Sequence, residues 1–376
     1  MTSFKFEILH TSKKSHARVG RIHTPHGTID TPNFVAVGTN GTLKGLDNEM
    51  VSRIGLQLMF CNTYHLLLQP GTKVIENAGG IHHFINRNFP IITDSGGFQV
   101  FSLAYKSVFD ELKSKGIKKR DSSVIKITDD GVLFRSYRDG LPIFLTPESV
   151  IATQKSFGAD IIIPLDELPP YHTDNQSLKR SLLRTHDWEK RSLEAHLKHP
   201  NNQAIYAVIH GGVNDQLRKE SCKFLSNLPF DGFAIGGSLG TTKNQMVNML
   251  SILLPQLPKQ APNHLLGIAD LDSLENCIPL GIDTFDSSYP TKSARHGTLL
   301  TSHGKIKISK RCYQNAFQPI QDNCSCYTCK NYTRAYLHHL FKVKELTSMM
   351  LASIHNLHFM VKLMTSYRKN IYLNVI

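Results

Sequence analysis

The chain has 376 residues, with 43 Lys and Arg against 30 Asp and Glu, a formal charge of +13. That length admits one large domain or two ordinary ones, and 40% hydrophobic residues are ample for a core and argue against disorder. The positive excess suits a polyanionic partner such as nucleic acid, and suits a merely basic enzyme equally well. No run of about 18 apolar residues occurs, which argues against a helical membrane span, and MTSFKFEILHTSKKSHARVG lacks a signal-peptide core. The expectation is therefore a cytoplasmic protein. Three of the seven cysteines crowd together at Cys324, Cys326 and Cys329, a metal-site usage rather than a disulfide framework.

Eight short apolar runs ending in small or polar residues follow one another along the chain: FVAVGTN (34–40), LQLMFCNT (56–63), PIITDSG (90–96), ADIIIPLDE (159–167), AIYAVIHG (204–211), DGFAIGGS (231–238), HLLGIAD (264–270) and IDTFDSS (282–288). Runs apolar at nearly every position predict parallel strands buried on both faces. Helical stretches lie between several of them. LTPESVIATQKSFG places Thr146 as N-cap and Pro147 at the first helical position, SLLRTHDWEKRSLEAHL reads as helix, and ESCKFLSNL has helical apolar spacing. Eight alternating units predict a (β/α)8 TIM barrel rather than an open sheet. Asn62, Asp94, Asp166, His210 and Asp286 would then sit at the carboxyl ends of strands, the face where barrel active sites lie. A basic excursion over 104–139 interrupts the pattern: DELKSKGIKKR predicts an exposed charged helix, and the remainder a hairpin turning at Asp129-Asp130-Gly131.

Beyond the barrel, Cys324-x-Cys326-x-x-Cys329 places three thiols within six residues, close enough to share one ion. Zinc favours four soft or borderline ligands in a tetrahedron, and the fourth is commonly histidine. His338, His339 and His355 are the candidates. His355 is preferred, because a second helix carrying it could fold back over the knuckle. Three thiolates and an imidazole leave no open position, so such a zinc is structural. The domain expectation is a catalytic barrel over 1–310, with a basic insertion near 104–122, followed by a zinc-binding subdomain and closing helices over 311–376.

CNTYHLLLQPG, TDSGGFQVFSL, FDSSYPTKSARHG and CxCxxC followed by RAYLHHL together resemble the tRNA-guanine transglycosylases of bacterial type, also called queuine tRNA-ribosyltransferases. The resemblance runs from about Phe34 to about Met364 and keeps motif order. It implies exchange of guanine at the anticodon wobble position of tRNAs for Tyr, His, Asn and Asp for a 7-deazaguanine base. Retention at the sugar implies two inversions through a covalent ribosyl-enzyme. Asp286 matches the nucleophile and Asp94 the general acid/base. Ser95, Gly96, Gly97 and Phe98 would line the base site, and Asp166 would accept from the ring N–H and amino group. His210 stands where a Gln usually meets the base carbonyl, Gly237 would offer it a backbone N–H, and Leu266 and Gly267 would form the floor. For tRNA the resemblance implies Gly267, Ile268, Ala269, Asp270, Leu271, Asp272 and Ser273, then Thr291, Lys292, Ser293, Ala294 and Arg295. It also implies one structural zinc and a homodimer in which one subunit positions tRNA for the other. Leu168 in place of Cys and Gly240 in place of Val depart from the usual bacterial pocket toward the eukaryotic one, and suggest queuine rather than 7-aminomethyl-7-deazaguanine as the inserted base. The competing reading is a catalytically inactive partner subunit that keeps the barrel and the zinc site.

Overall fold

A computed structural model of the chain describes residues 4–103 and 124–376. Strands β1 (Lys5–Thr11), β2 (Arg18–Thr24) and β3 (Gly27–Thr31) form an antiparallel sheet ahead of the barrel. The barrel begins with β4 (Asn33–Val37), β5 (Met59–Cys61) and β6 (Ile91–Thr93). A three-stranded excursion of β7 (Val124–Thr128), β8 (Gly131–Arg135) and β9 (Pro142–Leu145) follows. The barrel resumes with β10 (Ile161–Ile162), β11 (Ala204–Ile209), β12 (Gly232–Ile235), β13 (Asn263–Leu265) and β14 (Thr284–Ser287), and the hairpin of β15 (Thr298–Thr301) and β16 (Gly304–Lys307) comes after it. Around the closed barrel the order is β10-β11-β12-β13-β14-β4-β5-β6, every neighbour parallel, with β6 pairing back to β10.

All eight expected runs are barrel strands, and the barrel is the fold the alternating pattern predicts. The hydrogen-bonded parts are shorter than the apolar runs, and β10 is only two residues long. The Thr146 cap holds as expected: its hydroxyl accepts from the Ser149 N–H and starts the helix Pro147–Phe157. The expected turn at Asp129-Asp130-Gly131 joins β7 to β8. The expected charged helix DELKSKGIKKR lies outside the described residues.

Period-two alternation divides each barrel strand between two cores. On β11, Ala204, Tyr206 and Val208 fill the barrel interior, while Ile205, Ala207 and Ile209 face the surrounding helices. The β1–β3 sheet closes the floor, sending Ile22 and Ile29 into the same interior cluster. Asp160, at the start of β10, clasps that floor. Its Oδ1 accepts from the His26 backbone N–H at 3.1 Å and lies 2.9 Å from His26 Nδ1, while its Oδ2 takes the Ile91 N–H at 2.9 Å and lies 3.1 Å from His82 Nε2.

The long helix Leu346–Tyr372 packs on the outside of the barrel. Leu357, Met360, Met364 and Ile371 belong to the same buried cluster as Phe34, Ala36 and Met59. Asn356, fully buried on it, replaces a missing strand partner: its Oδ1 accepts from the Leu300 N–H at 2.9 Å, and its Nδ2 donates to the Pro290 and Thr298 carbonyls at 3.0 Å each. Among the described residues no helix is long and apolar enough to cross a membrane.

Candidate active site and metal centre

The interior alternation continues past the strand ends and supplies the mouth of the barrel with its polar groups. Phe60 is followed two residues later by Asn62, Ile92 by Asp94, and Val208 by His210, while Asp286 follows Thr284 across the outward-facing Phe285. Asp94 is buried, and its carboxylate takes three donors: the Thr63 N–H at 2.7 Å on Oδ1, and Asn62 Nδ2 at 2.7 Å and Gln99 Nε2 at 3.0 Å on Oδ2. Burial outweighs these donors, the charge of Asp166 adds to it, and the Asp94 pKa is pushed up to about 6. An acid of that strength can both give and take a proton near neutral pH.

Asp166 lies between Ser95, whose hydroxyl donates to Oδ1 at 3.1 Å, and His210, whose Nε2 is 2.8 Å from Oδ2. Two glycines bring backbone close to this group. A Cβ on Gly97 would stand 2.8 Å from the Asp166 carbonyl oxygen, and one on Gly237, at φ +75°, 2.9 Å from His210 Nδ1. A cleft of about 200 Å³ opens beside His210, Gly237 and Ser238 and runs along Pro169, Pro170 and Thr185. Gly240 has a backbone reason of its own: at φ +101°, a Cβ there would come within 2.7 Å of the Gln245 side chain. Phe98 is 43% exposed, free to meet a flat ligand from solvent.

Across the mouth, Asp286 Oδ1 accepts from the Gly267 N–H at 2.7 Å and lies 3.0 Å from His264 Nε2. From Gly267 the chain runs into the helix Leu271–Cys277, where Asp270 is the N-cap, accepting from the Ser273 N–H and hydroxyl. Lys243 pairs with both Asp270 and Asp272. Thr291 to Arg295 lie on the helix Tyr289–Arg295 that leaves β14. In these two segments Ala269, Ser273, Thr291 and Ala294 are buried, whereas Gly267, Asp272 and Lys292 are exposed.

The cysteines meet His355, not His338, whose Nδ1 is 2.8 Å from the Ile308 carbonyl. His355 Nδ1 lies 3.8, 3.5 and 3.3 Å from the sulfurs of Cys324, Cys326 and Cys329. A tetrahedral zinc with its usual bond lengths would hold sulfur and nitrogen about 3.6 Å apart, so the donor set fits. The Leu300 carbonyl accepts from Nε2 at 2.8 Å, which leaves the Nδ1 lone pair for a metal, and the Cys329 N–H donates to the Cys326 sulfur at 3.3 Å. Hydrogen bonds from Cys326 and Cys329 favour the thiolate of Cys324, and the same closeness opposes ionisation of Cys326. A cation removes that conflict.

Residues 12–374 match the queuine tRNA-ribosyltransferase family. The chain belongs to that family. It is 66% identical to the queuine tRNA-ribosyltransferase of Protochlamydia amoebophila, over 99% of this chain and 96% of the relative. It is 56% identical to that of Chlamydia felis over 98% of each chain, and 55% identical to that of Chlamydia trachomatis over the same shares.

Within this member of the queuine tRNA-ribosyltransferase family, the sequence alone does not single out several residues that build the site. Arg218 is fully buried behind the pocket and ties the end of β11 and the loop leaving it to the loop after β12, donating to the carbonyls of Ile209 at 2.6 Å, Gly212 at 2.8 Å and Ser238 at 2.9 Å. Burial lowers its pKa to about 10. Gln99 and His264 likewise reach the two carboxylates without having been singled out. Asn62 stood out as a polar strand end, and its partner is Asp94.

Proposed function

We propose that the chain exchanges guanine at the wobble position of tRNAs with GUN anticodons for a 7-deazaguanine base, with Asp286 as nucleophile and Asp94 as general acid/base. The observation that carries this reading is the pair of buried carboxylates on one barrel rim in different environments. One has its pKa pushed up to about 6, and the other is fixed through a single oxygen. In the first half-reaction an Asp286 oxygen forms a bond to the anomeric carbon as the glycosidic bond breaks, and the electron pair leaves on guanine. Asp94 supplies the proton that neutralises it. In the second half-reaction the incoming base loses a proton to Asp94 and displaces Asp286, so that two inversions retain the configuration.

In this reading Asp166 accepts the ring N–H and amino group of the base, while Ser95 and His210 hold it in place. Ser95, Gly96, Gly97 and Phe98 face the base, Gly237 donates its N–H to the carbonyl, and Leu266 and Gly267 lie beneath the ring. The tRNA strand crosses Gly267 to Ser273 and the helix carrying Lys292 and Arg295. The buried Ala269, Ser273, Thr291 and Ala294 shape that surface from behind, and a flipped target base accounts for the depth of the pocket. The cleft beside Ser238 offers room for a large 7-substituent and favours queuine. Cys324, Cys326, Cys329 and His355 hold one zinc, which braces the fold and takes no part in the chemistry. The barrel over 1–310 and the metal-binding part over 311–376 form the two functional units, in the cytoplasm and as a homodimer, a state that light scattering in solution would check.

The test is radiolabelled-guanine exchange into unmodified tRNA-Tyr or tRNA-Asp, chased with queuine or the aminomethyl base. Wild type should exchange and Asp286→Ala should not. A zinc-replete wild type that binds tRNA without exchange would favour the inactive-subunit reading, against which the presence of both aspartates now speaks. An aminomethyl base incorporated far faster than queuine would sink the queuine assignment.

A further inference from the structure

His264 has no exposed surface, sits on β13 inside the barrel and stacks against Phe60 with ring centroids 6.0 Å apart. Its two nitrogens reach neighbouring side chains of β14: Nε2 lies 3.0 Å from Asp286 Oδ1 and Nδ1 lies 2.8 Å from Thr284 Oγ1. A carboxylate only accepts, so Nε2 carries the hydrogen, and Nδ1 then takes the Thr284 hydroxyl proton. That hydroxyl has a second acceptor in the Asn263 carbonyl, but at 3.4 Å it competes poorly. The Gly267 N–H points to the same oxygen, Oδ1, at 2.7 Å. Among the described residues Oδ2 accepts no hydrogen bond.

From this asymmetry we infer that His264 is a positioning residue for the nucleophile: with Gly267 it pins Oδ1 and leaves Oδ2 as the attacking oxygen. The inference rests on the assignment of Asp286 as nucleophile. When Oδ2 bonds to the anomeric carbon, Oδ1 becomes the carbonyl oxygen of the ribosyl ester, and the carboxylate charge disappears. When the incoming base displaces the ester, the Oδ2–carbon bond breaks, its electron pair returns to the carboxylate, and the charge reappears on the oxygen that His264 and Gly267 address. Donors placed where charge develops accelerate that step. Loss of His264 therefore slows decay of the covalent intermediate more than its formation. Thr284 acts one bond further back, fixing the imidazole tautomer.

The experiment uses full-length, zinc-loaded protein, a tRNA transcript with a GUN anticodon and labelled guanine, with covalent tRNA–enzyme read on a denaturing gel. His264→Phe keeps a flat ring against Phe60 and removes the donor, whereas His264→Gln keeps a donor of similar reach. The expected result for His264→Phe is a kcat lower by roughly 10–100-fold, a KM for tRNA that falls with it so that kcat/KM for tRNA stays within about twofold of wild type, and a larger covalent fraction at steady state, with most of the loss restored in His264→Gln. An unchanged kcat, a loss confined to KM, or equal losses in Phe and Gln variants would overturn the assignment while leaving the nucleophile in place. Asp286→Ala separates the two readings: a covalent complex persisting in that variant removes the nucleophile assignment itself. Should His264→Phe fail to fold, Thr284→Val carries the test, with a several-fold drop in kcat at constant kcat/KM for tRNA expected and an unchanged kcat overturning the proposal.

Discussion

Asn62, Thr63 and Gln99 all donate to a carboxylate whose burial nevertheless raises its pKa to about 6, so Asp94 holds its proton in a pH range where an exposed aspartate would have lost it. The two half-reactions use opposite forms of that acid. Guanine release consumes the proton, so kcat/KM for tRNA should fall as pH rises through about 6. Capture of the incoming base needs the ionised form, so kcat/KM for the free base should fall as pH drops through the same value. Asp94→Asn should abolish both limbs together with exchange. Ping-pong kinetics at a series of pH values separates the two constants, and parallel limbs would refute the shared-proton account. At this scale the sequence was readable where a polar residue ended an apolar run, as with Asp94, Asp166, His210 and Asp286. It was silent where the partner is brought by the fold: His264 reads as part of a strand, and Arg218 reads as one more surface cation on an amphipathic helix until its three carbonyl acceptors are seen.

The turn between β2 and β3 is held to the barrel floor through Asp160. Burial opposes ionisation of Asp160, but hydrogen bonds from His26, His82 and the Ile91 N–H outweigh it and hold the carboxyl well below the usual range. His26 is raised in turn, chiefly by its bond to Asp160. A depressed Asp stabilises the fold above its unfolded pKa and stops doing so as pH falls through the folded value. A raised His contributes below its unfolded pKa and stops as pH rises through the folded one. Asp160→Ala should therefore cost about 2–4 kcal/mol, with the gap from wild type widest between about pH 4 and 6.5, as urea unfolding across pH would show. Equal gaps at pH 3 and pH 6 would argue that the clasp is not ionic. The strands were legible as elements because both-face burial leaves continuous apolar runs. Their true lengths were not, since pairing stops where loops turn into the mouth, and β10 keeps only Ile161 and Ile162.

The three cysteines of the knuckle and the buried His355 of the helix Leu346–Tyr372 come together, joining parts of the chain that the sequence could associate but not orient. Three histidines were candidates, and only the fold-back of the long helix selects His355. Stripping the metal with a chelator should lower the melting temperature by on the order of 10 °C, and Cys326→Ser should mimic it, with zinc analysis of wild type returning one ion per chain. An unchanged melt after complete removal would mean that the cluster contributes nothing to the fold. The same helix also covers Phe34, Ala36 and Met59 on the first strands of the barrel, and close to its end the Asn374 side chain accepts from the Lys13 N–H. During synthesis these first strands leave the ribosome on the order of three hundred residues ahead of the segment that shields them. For that interval the nascent chain carries a greasy strip with no native cover, and chaperone occupancy should persist until the last helix emerges.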